Sequence, residues 1–312
     1  MKLMRAIVTG GAGFIGSWLV RALTERGHEA IVIDDLSAGD PGNMPSGIEW
    51  HRVRVETEET AELIARISPR VVFHLAAQVG VGSSMKSPLG DAEVNILGTL
   101  RVLEGCRKAG SKLVFSSTSG VYGEAVGAGA LREDSPIRPL APYGLSKWAA
   151  EQYIRHAGIW WGQSYTILRY ANVYGLGQTA RGEGGVVACF LERAAGRLPL
   201  IIHGDGEQSR DFVHVDDVVR ANLAAIDRGD GETLNIGTGI ATPINELANL
   251  FERLGAAGGG RIREPARAGD ARCSRLSARA AKKALGWEHE IDLQAGLARL
   301  VAELPPGGAA DG

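Results

Sequence analysis

Short apolar runs and amphipathic stretches alternate through the first half of the chain. The runs "LMRAIVT" (3–9), "EAIVID" (29–34), "RVVFHLA" (70–76) and "KLVFSS" (112–117) are rich in Val, Ile and Leu. Between them, "SWLVRALTERG" (17–27), "ETAELIARI" (59–67) and "NILGTLRVLEGCRKAG" (95–110) read as helices. Continuous apolar runs suit strands buried on both faces, so the rhythm predicts a β-α-β-α order and a parallel, helix-covered sheet. "GLSKWAAEQYIRHAG" predicts a helix over 144–158 ending at Gly158, and "YTILRYANVYG" (165–175) a further strand running into a loop.

After residue 175 the pattern loosens. "GLGQTARGEGG" reads as a loop, "VVACFLERAAG" as a helix, and "LPLIIHGDGEQ" as a strand and turn. "TPINELANLFERLG" (242–255) predicts a helix opened by Thr242 and Pro243. The closing "PPGGAADG" has no apolar face and is expected to be a mobile tail over 305–312. There is no internal repeat and no long low-complexity linker. With 312 residues, the chain suits two lobes sharing one cleft, the second woven from several insertions.

Composition narrows the partners. Lys plus Arg number 34 against 36 Asp plus Glu, a formal net charge of -2, so no basic surplus points to nucleic acid or an anionic membrane. A small-molecule partner is expected. Cys106, Cys189 and Cys273 are far apart with no CxxC spacing, which argues for reduced thiols in a cytoplasmic protein. No segment reads as a signal peptide or a membrane span.

Two constellations carry chemistry. Gly10-Gly11-Ala12-Gly13-Phe14-Ile15-Gly16 spells G-x-x-G-x-x-G between a predicted strand and a helix. Such glycines allow a tight turn, close approach of backbone to a pyrophosphate, and phosphate binding at the helix N-terminus. Asp34 lies eighteen residues after Gly16, at the end of the second strand, where an acid accepts hydrogen bonds from a ribose diol. An acid there repels a 2'-phosphate, and the next ten residues hold no Arg or Lys, so NAD is expected rather than NADP. The second constellation is Tyr143 and Lys147, Y-x-x-x-K, one turn apart on a single helix face. An adjacent ammonium and a bound nicotinamide cation favour phenolate, a usable base for a sugar or alcohol hydroxyl. Thr118, in "FSSTSGVYG" (115–123), offers a hydroxyl to complete a proton path.

These residues resemble the extended short-chain dehydrogenase/reductase superfamily, and within it the UDP-glucose 4-epimerase-like group. The resemblance covers nearly the whole chain, through "TGGAGFIG" (9–16), "DDLSAG" (34–39), "FHLAAQ" (73–78), "AEVNILGTL" (92–100), "PYGLSK" (142–147), "LRYANVYG" (168–175), "GDGEQSRDFVHVDDV" (204–218) and "RAGD" (267–270). It implies a Rossmann-like, doubly wound α/β fold with a smaller interwoven substrate lobe. The NAD-binding part would comprise 1–171 plus about 211–239, and the nucleotide-sugar lobe 172–210 plus about 240–304.

By the same resemblance, Tyr143 is the base, Lys147 its pKa modifier and ribose contact, and Thr118 the proton-shuttling hydroxyl. Gly10, Gly13, Phe14, Ile15 and Gly16 lie along the cofactor pyrophosphate, Asp34 on the adenosine ribose, and Leu75, Ala76 and Ala77 beside the cofactor. Asn172, Arg210, Arg267 and Asp270 hold the nucleotide sugar; the plain alternative for the arginines is a salt bridge to a carboxylate such as Asp211. Ser274 matches a position where a small residue is associated with acceptance of 2-acetamido sugars. The implied reaction is UDP-sugar 4-epimerisation through a 4-keto intermediate, with NAD retained between turnovers and two subunits paired through helices.

Other readings stay open. Dehydratases and decarboxylases that look like this family carry an acid two residues before the tyrosine of "VYG"; here that residue is Gly120. Uronate epimerases tend to have Thr in place of Asn172 and an Arg soon after, whereas the first Arg here is Arg181. A sugar dehydrogenase or a non-catalytic NAD-binding module completes the set. One departure from the family is Arg54, standing at or near a place usually held by the Asp that faces adenine. His74, His203 and His214 lack metal-ligand spacing and are read as structural, with no metal expected. Trp160-Trp161 is read as core or subunit contact.

Overall fold

The structure is a computed structural model, and it describes residues 3–124, 129–180, 185–266 and 271–304. In chain order, the first half runs β1 (Arg5–Thr9), α1 (Phe14–Glu25), β2 (Glu29–Ile33), β3 (Glu49–His51), α2 (Glu58–Ile67), β4 (Val71–His74), α3 (Val81–Lys86) and α4 (Pro88–Ala92). One wider π-helical turn over Glu93–Leu97 leads into α5 (Gly98–Ala109), then β5 (Lys112–Thr118), α6 (Pro142–Trp161) and β6 (Tyr165–Tyr170). There follow β7 (Asn172–Tyr174), α7 (Val186–Ala195), β8 (Leu200–His203), β9 (Ser209–Arg210), β10 (Phe212–His214), α8 (Val215–Ala224) and β11 (Glu232–Ile236). The chain closes with β12 (Thr242–Pro243), α9 (Ile244–Arg253), β13 (Arg261–Glu264), β14 (Cys273–Ser274), α10 (Arg279–Leu285) and α11 (Leu293–Ala302).

Seven strands form one parallel sheet in the order β11-β6-β5-β4-β1-β2-β3. The strand order reverses direction at β1, between β2 and β4, which is the crevice where open α/β sheets bind ligands. Alternate residues explain the two layers of helix. Ala6, Val8, Val32, Phe73 and Leu168 share a core with Leu19 and Leu23 of α1 and Val218 of α8. Their neighbours Ile7, Ile31, Val72, Phe115 and Ile167 pack instead with Leu63 of α2, Val102 of α5 and Ile154 of α6. A third core gathers Phe190 of α7, Leu200 and Ile202 of β8, Phe251 of α9 and Leu297 of α11. The chain enters this region after β6, returns to the main sheet through α8 and β11, and leaves it again at β12.

Three local expectations are corrected. The helix foreseen to end at Gly158 continues to Trp161 and is closed by Gly162 in the left-handed region (φ 67°). Gly158 stays inside it because Tyr165 lies against that point, where a Cβ would approach its ring to 2.7 Å. Where 165–175 is foreseen as a strand running into a loop, Tyr165–Tyr170 joins the main sheet, and after Ala171 a second short strand, Asn172–Tyr174, pairs with β10. Thr242 does not cap α9; it pairs with Arg210 across a short antiparallel contact, and the helix begins at Ile244. Among the described residues, no helix is long and apolar enough to cross a membrane.

Candidate active site

The glycine turn forms where β1 stops at the sheet's switch point. Gly10, at φ 71°, sits so close to β4 that a Cβ there would lie 2.7 Å from the Ala76 nitrogen. Gly16 is tighter still, because its Cβ would fall 2.1 Å from the Gly10 carbonyl oxygen. These two glycines therefore let α1 begin directly against the turn. Gly13 caps that helix with extended backbone and no side-chain hydrogen bond, and the first turn carries no acid. The N–H groups of Phe14, Ile15 and Gly16 are thus the helix's N-terminal donors, a site suited to an anionic group.

Asp34 closes the neighbouring side. It is buried, accepting from Ala12 N (3.0 Å) through Oδ2 and from Leu36 N (2.9 Å) through Oδ1. Burial raises its carboxyl above the usual range, against the two backbone bonds that pull it down. Two acceptor lone pairs remain for a diol. Leu75 and Ala76 abut the turn from β4: Leu75 N donates to Thr9 O (3.1 Å) and Ala76 N to Thr9 Oγ1 (3.2 Å). Arg54 is exposed and paired with Glu56, and its carbonyl accepts from Thr57 and Thr60, so here it closes the turn before α2.

His74 is structural and neutral. Thr9 Oγ1 lies 2.7 Å from Nδ1, and Thr99 Oγ1 lies 3.1 Å from Nε2. Because Thr99 donates its proton to Asn95 O (2.7 Å) and Thr9 Oγ1 accepts from Ala76 N, the consistent tautomer carries hydrogen on Nε2. Burial pushes His74 down to about 3, and the Lys147 charge adds to this. His214 serves as a helix cap, its Nδ1 accepting from Asp216 N. His203 sits at the end of β8 near Pro265 O (3.3 Å).

Tyr143 and Lys147 occupy the first two turns of α6, and Pro142 at the first helical position starts that helix. Gly144 brings the helix against the turn after β5; a Cβ there would lie 2.5 Å from Gly120 O. Thr118, the last residue of β5, stands close enough to Tyr143 to influence its hydroxyl. Burial pushes the phenol up to about 12, opposed by the Thr118 hydroxyl and reinforced by the Asp91 charge. Lys147 is 3 % exposed, with Nζ 4.4 Å from the Phe115 ring centroid. Its burial pulls it down to about 7, while Glu151 and Asp91 hold it up. Folding alone therefore does not make Tyr143 a phenolate: desolvation penalises both charges, and a further positive charge is needed beside the ring.

Asn172, Arg210 and Ser274 lie on β7, β9 and β14. Arg210 and Ser274 are register partners in a parallel pair, so the two are neighbours. Asn172 N donates to Asp211 O (2.8 Å), which ties β7 to the residue after Arg210. Asp211 itself is not the partner foreseen for the arginines. Fully buried, its carboxylate accepts from Thr238 N, Thr238 Oγ1, Gly239 N and Leu276 N. Arg181, Arg267 and Asp270 lie outside the described residues. The segment following Asp270 is anchored by Arg272, bidentate to Asp205 at 2.8 and 2.7 Å, with its N–H donating to Glu124.

Sequence reasoning missed a buried polar group beside Lys147. Asp91, Gln78, Asn95 and Ser146 are joined by hydrogen bonds, and Glu151 stands one turn after Lys147. The legible signal was spacing: Asp91 with Asn95, and Lys147 with Glu151, are each four apart on helical segments.

The model of the NAD dependent epimerase/dehydratase family matches residues 6–237. A UDP-glucose 4-epimerase of Mycolicibacterium smegmatis is 40% identical over 308 residues, 96% of this chain and 97% of the relative. The crystal structure of UDP-glucose 4-epimerase with UDP-glucose from Thermotoga maritima superposes with TM-score 0.93 at 44% identity, covering 96% of this chain and 98% of that one. The Thermus thermophilus UDP-glucose 4-epimerase complex with NAD gives TM-score 0.92 at 38% identity, covering 96% and 99%.

Proposed function

The chain belongs to the NAD dependent epimerase/dehydratase family, and from that premise we propose that it is an NAD-dependent UDP-sugar 4-epimerase interconverting UDP-glucose and UDP-galactose. The observation that carries this reading is the placement of Tyr143 and Lys147 one turn apart at the start of α6, with Thr118 ending β5 and the glycine turn at the same edge of the sheet.

The residues fit NAD. The uncapped N-terminus of α1 and the glycines receive the pyrophosphate, Asp34 the adenosine ribose, and Lys147 a hydroxyl of the other ribose, while Leu75, Ala76 and Ala77 lie beside it. When bound, NAD supplies a reversible hydride acceptor and a positively charged ring. Tyr143 then accepts the proton of the sugar C4 hydroxyl, and Thr118 hydrogen-bonds the same oxygen as it becomes a ketone. Arg210 with Asn172, and Arg267 with Asp270, grip the UDP portion, leaving the ketosugar to turn about its pyrophosphate link. Tyr143 returns the proton after the turn, so net redox change is zero and the cofactor is retained.

Small Ser274 beside Arg210 supports acceptance of UDP-GlcNAc and UDP-GalNAc as well. Gly120, with no carboxyl group, speaks against elimination of water by a dehydratase. We assign NAD binding to 1–171 plus about 211–239 and sugar binding to the remainder up to 304. We also propose a cytoplasmic homodimer paired through α5 and α6. Tyr153, Trp160 and Trp161 are exposed there around a hollow shared with Leu100, Leu103 and Arg107, which places the tryptophans at the surface rather than in the core.

The test incubates purified protein, with and without NAD, with UDP-Gal, UDP-GalNAc or UDP-glucuronate and follows the anomeric protons by NMR. The C4 epimer without net NADH supports the reading. A 4-keto-6-deoxy or pentose product, stoichiometric NADH, or NAD binding without turnover refutes it.

A further inference from the structure

Asp91, on α4, is 1 % exposed. Its Oδ1 accepts from Gln78 Nε2 (2.8 Å) and Asn95 Nδ2 (3.1 Å), whereas its Oδ2 is buried with no hydrogen-bonding partner among the described residues. A buried carboxylate oxygen without a donor is costly unless a cation faces it. The bonds to Oδ1 lead to the active site on both sides. Asn95 Oδ1 accepts from Gln78 N (2.9 Å), and its Nδ2 reaches Gln78 O (3.0 Å) and Ser146 Oγ (3.1 Å). Gln78 directly follows Leu75–Ala77, and Ser146 directly precedes Lys147.

The groups around Lys147 and its neighbour Glu151 come from several elements. From α6 come Tyr143 and Glu151, from β4 neutral His74, from β5 the Phe115 ring and Ser117, and from β6 Arg169. Glu151 is already committed: it binds Arg169 in bidentate fashion and accepts from Ser117 Oγ. Asp91, from α4, has an oxygen to spare; its charge favours the Lys147 ammonium after that of Glu151, and disfavours a Tyr143 phenolate.

We propose that Asp91 is a positioning residue for the Tyr143–Lys147 pair: its buried, unpartnered oxygen adds to Glu151 a negative charge that favours the Lys147 ammonium, and its bonded oxygen fixes the Gln78 turn through Asn95 against Ser146. The consequence for catalysis rests on the epimerase reading; the charge state of Lys147 does not. Asp91→Asn keeps an acceptor for Gln78 and Asn95 while removing the charge.

The experiment titrates Lys147 directly, by NMR of protein labelled at lysine 13Cε, with the signal assigned by Lys147→Met. In Asp91→Asn the Lys147 midpoint is expected to fall by about one pH unit, the lower end of what a near charge does. In the NAD-loaded enzyme, the alkaline limb of kcat is expected to move the same way with KM little changed. Asp91→Ser, which leaves room for water, serves if the Asn variant does not fold. An unmoved Lys147 midpoint in a folded variant overturns the proposal, as does a wild-type Lys147 that titrates well below neutrality. A shifted midpoint in a protein without epimerase activity upholds it and refutes the proposed function instead.

Discussion

Glu151 and Arg169 form a bidentate ion pair in the interior, with Nη2 2.6 Å from Oε2 and Nε 2.9 Å from Oε1, both side chains almost fully buried. The pair locks α6 to β6 one turn beyond Lys147. Arg169 also donates to Tyr122 OH (2.8 Å), which in turn donates to Asn235 Oδ1 (2.7 Å). Removing one partner strands a charge in the core. Glu151→Ala is therefore expected to cost about 3–5 kcal/mol, read as a lowered urea midpoint with unchanged slope.

Tyr143→Phe removes the hydroxyl that exchanges the proton. We expect kcat to fall by about 10²–10⁴ with NAD affinity nearly unchanged. Thr118→Val, which deletes the hydroxyl proposed to hydrogen-bond the reacting sugar oxygen, is expected to cost about 1.5–3 kcal/mol of transition-state stabilisation. Steady-state kinetics with UDP-Gal checks both, and full activity in Tyr143→Phe would contradict the assignment.

The glycines of the turn differ in severity. Gly16→Ala drives a methyl against the Gly10 carbonyl, whereas at Gly13 the nearest atom is that same oxygen at 3.3 Å. Gly16→Ala is expected to lose about 1–3 kcal/mol of stability and most NAD binding. Gly13→Ala should lose less stability than Gly16→Ala, since the turn need give only a few tenths of an ångström. Calorimetric titration with NAD and thermal melts separate the two.

His74 gives an acid-side dependence of stability. Unfolded, it takes a proton near 6.5; folded, only near about 3. Between these values the unfolded state holds the extra proton, so its contribution is complete above about 6.5 and declines as pH falls, by about 1.4 kcal/mol per unit. Urea midpoints from pH 7 to 4 should fall more steeply in wild type than in His74→Gln.

Ser274→Tyr puts a bulky ring beside Arg210. The rate on UDP-GalNAc is expected to drop at least about tenfold relative to UDP-Gal, roughly one methylene-scale discrimination. Equal losses on both sugars would remove the steric reading.

The apolar runs of the first half made the β-α order and the parallel sheet legible, because a strand buried on both faces leaves a continuous Val, Ile and Leu signature. Glycine spacing, Asp34 and Y-x-x-x-K were legible for a related reason: each needs particular residue types at fixed local distances. What the sequence could not convey depended on partners far along the chain. Gly158 looks like a helix end until Tyr165 is packed against it, and Thr242 looks like a cap until Arg210 pairs with it. Asp211 resembles a salt-bridge partner, yet folding surrounds it with backbone N–H donors from residues 238, 239 and 276. Asp91 shows the same limit most clearly, since its charge matters only once α4 lies beside α6. Local chemistry was thus set by the sequence, whereas burial and the pairing of distant groups, which fix the charges of Tyr143 and Lys147, were decided by the tertiary structure.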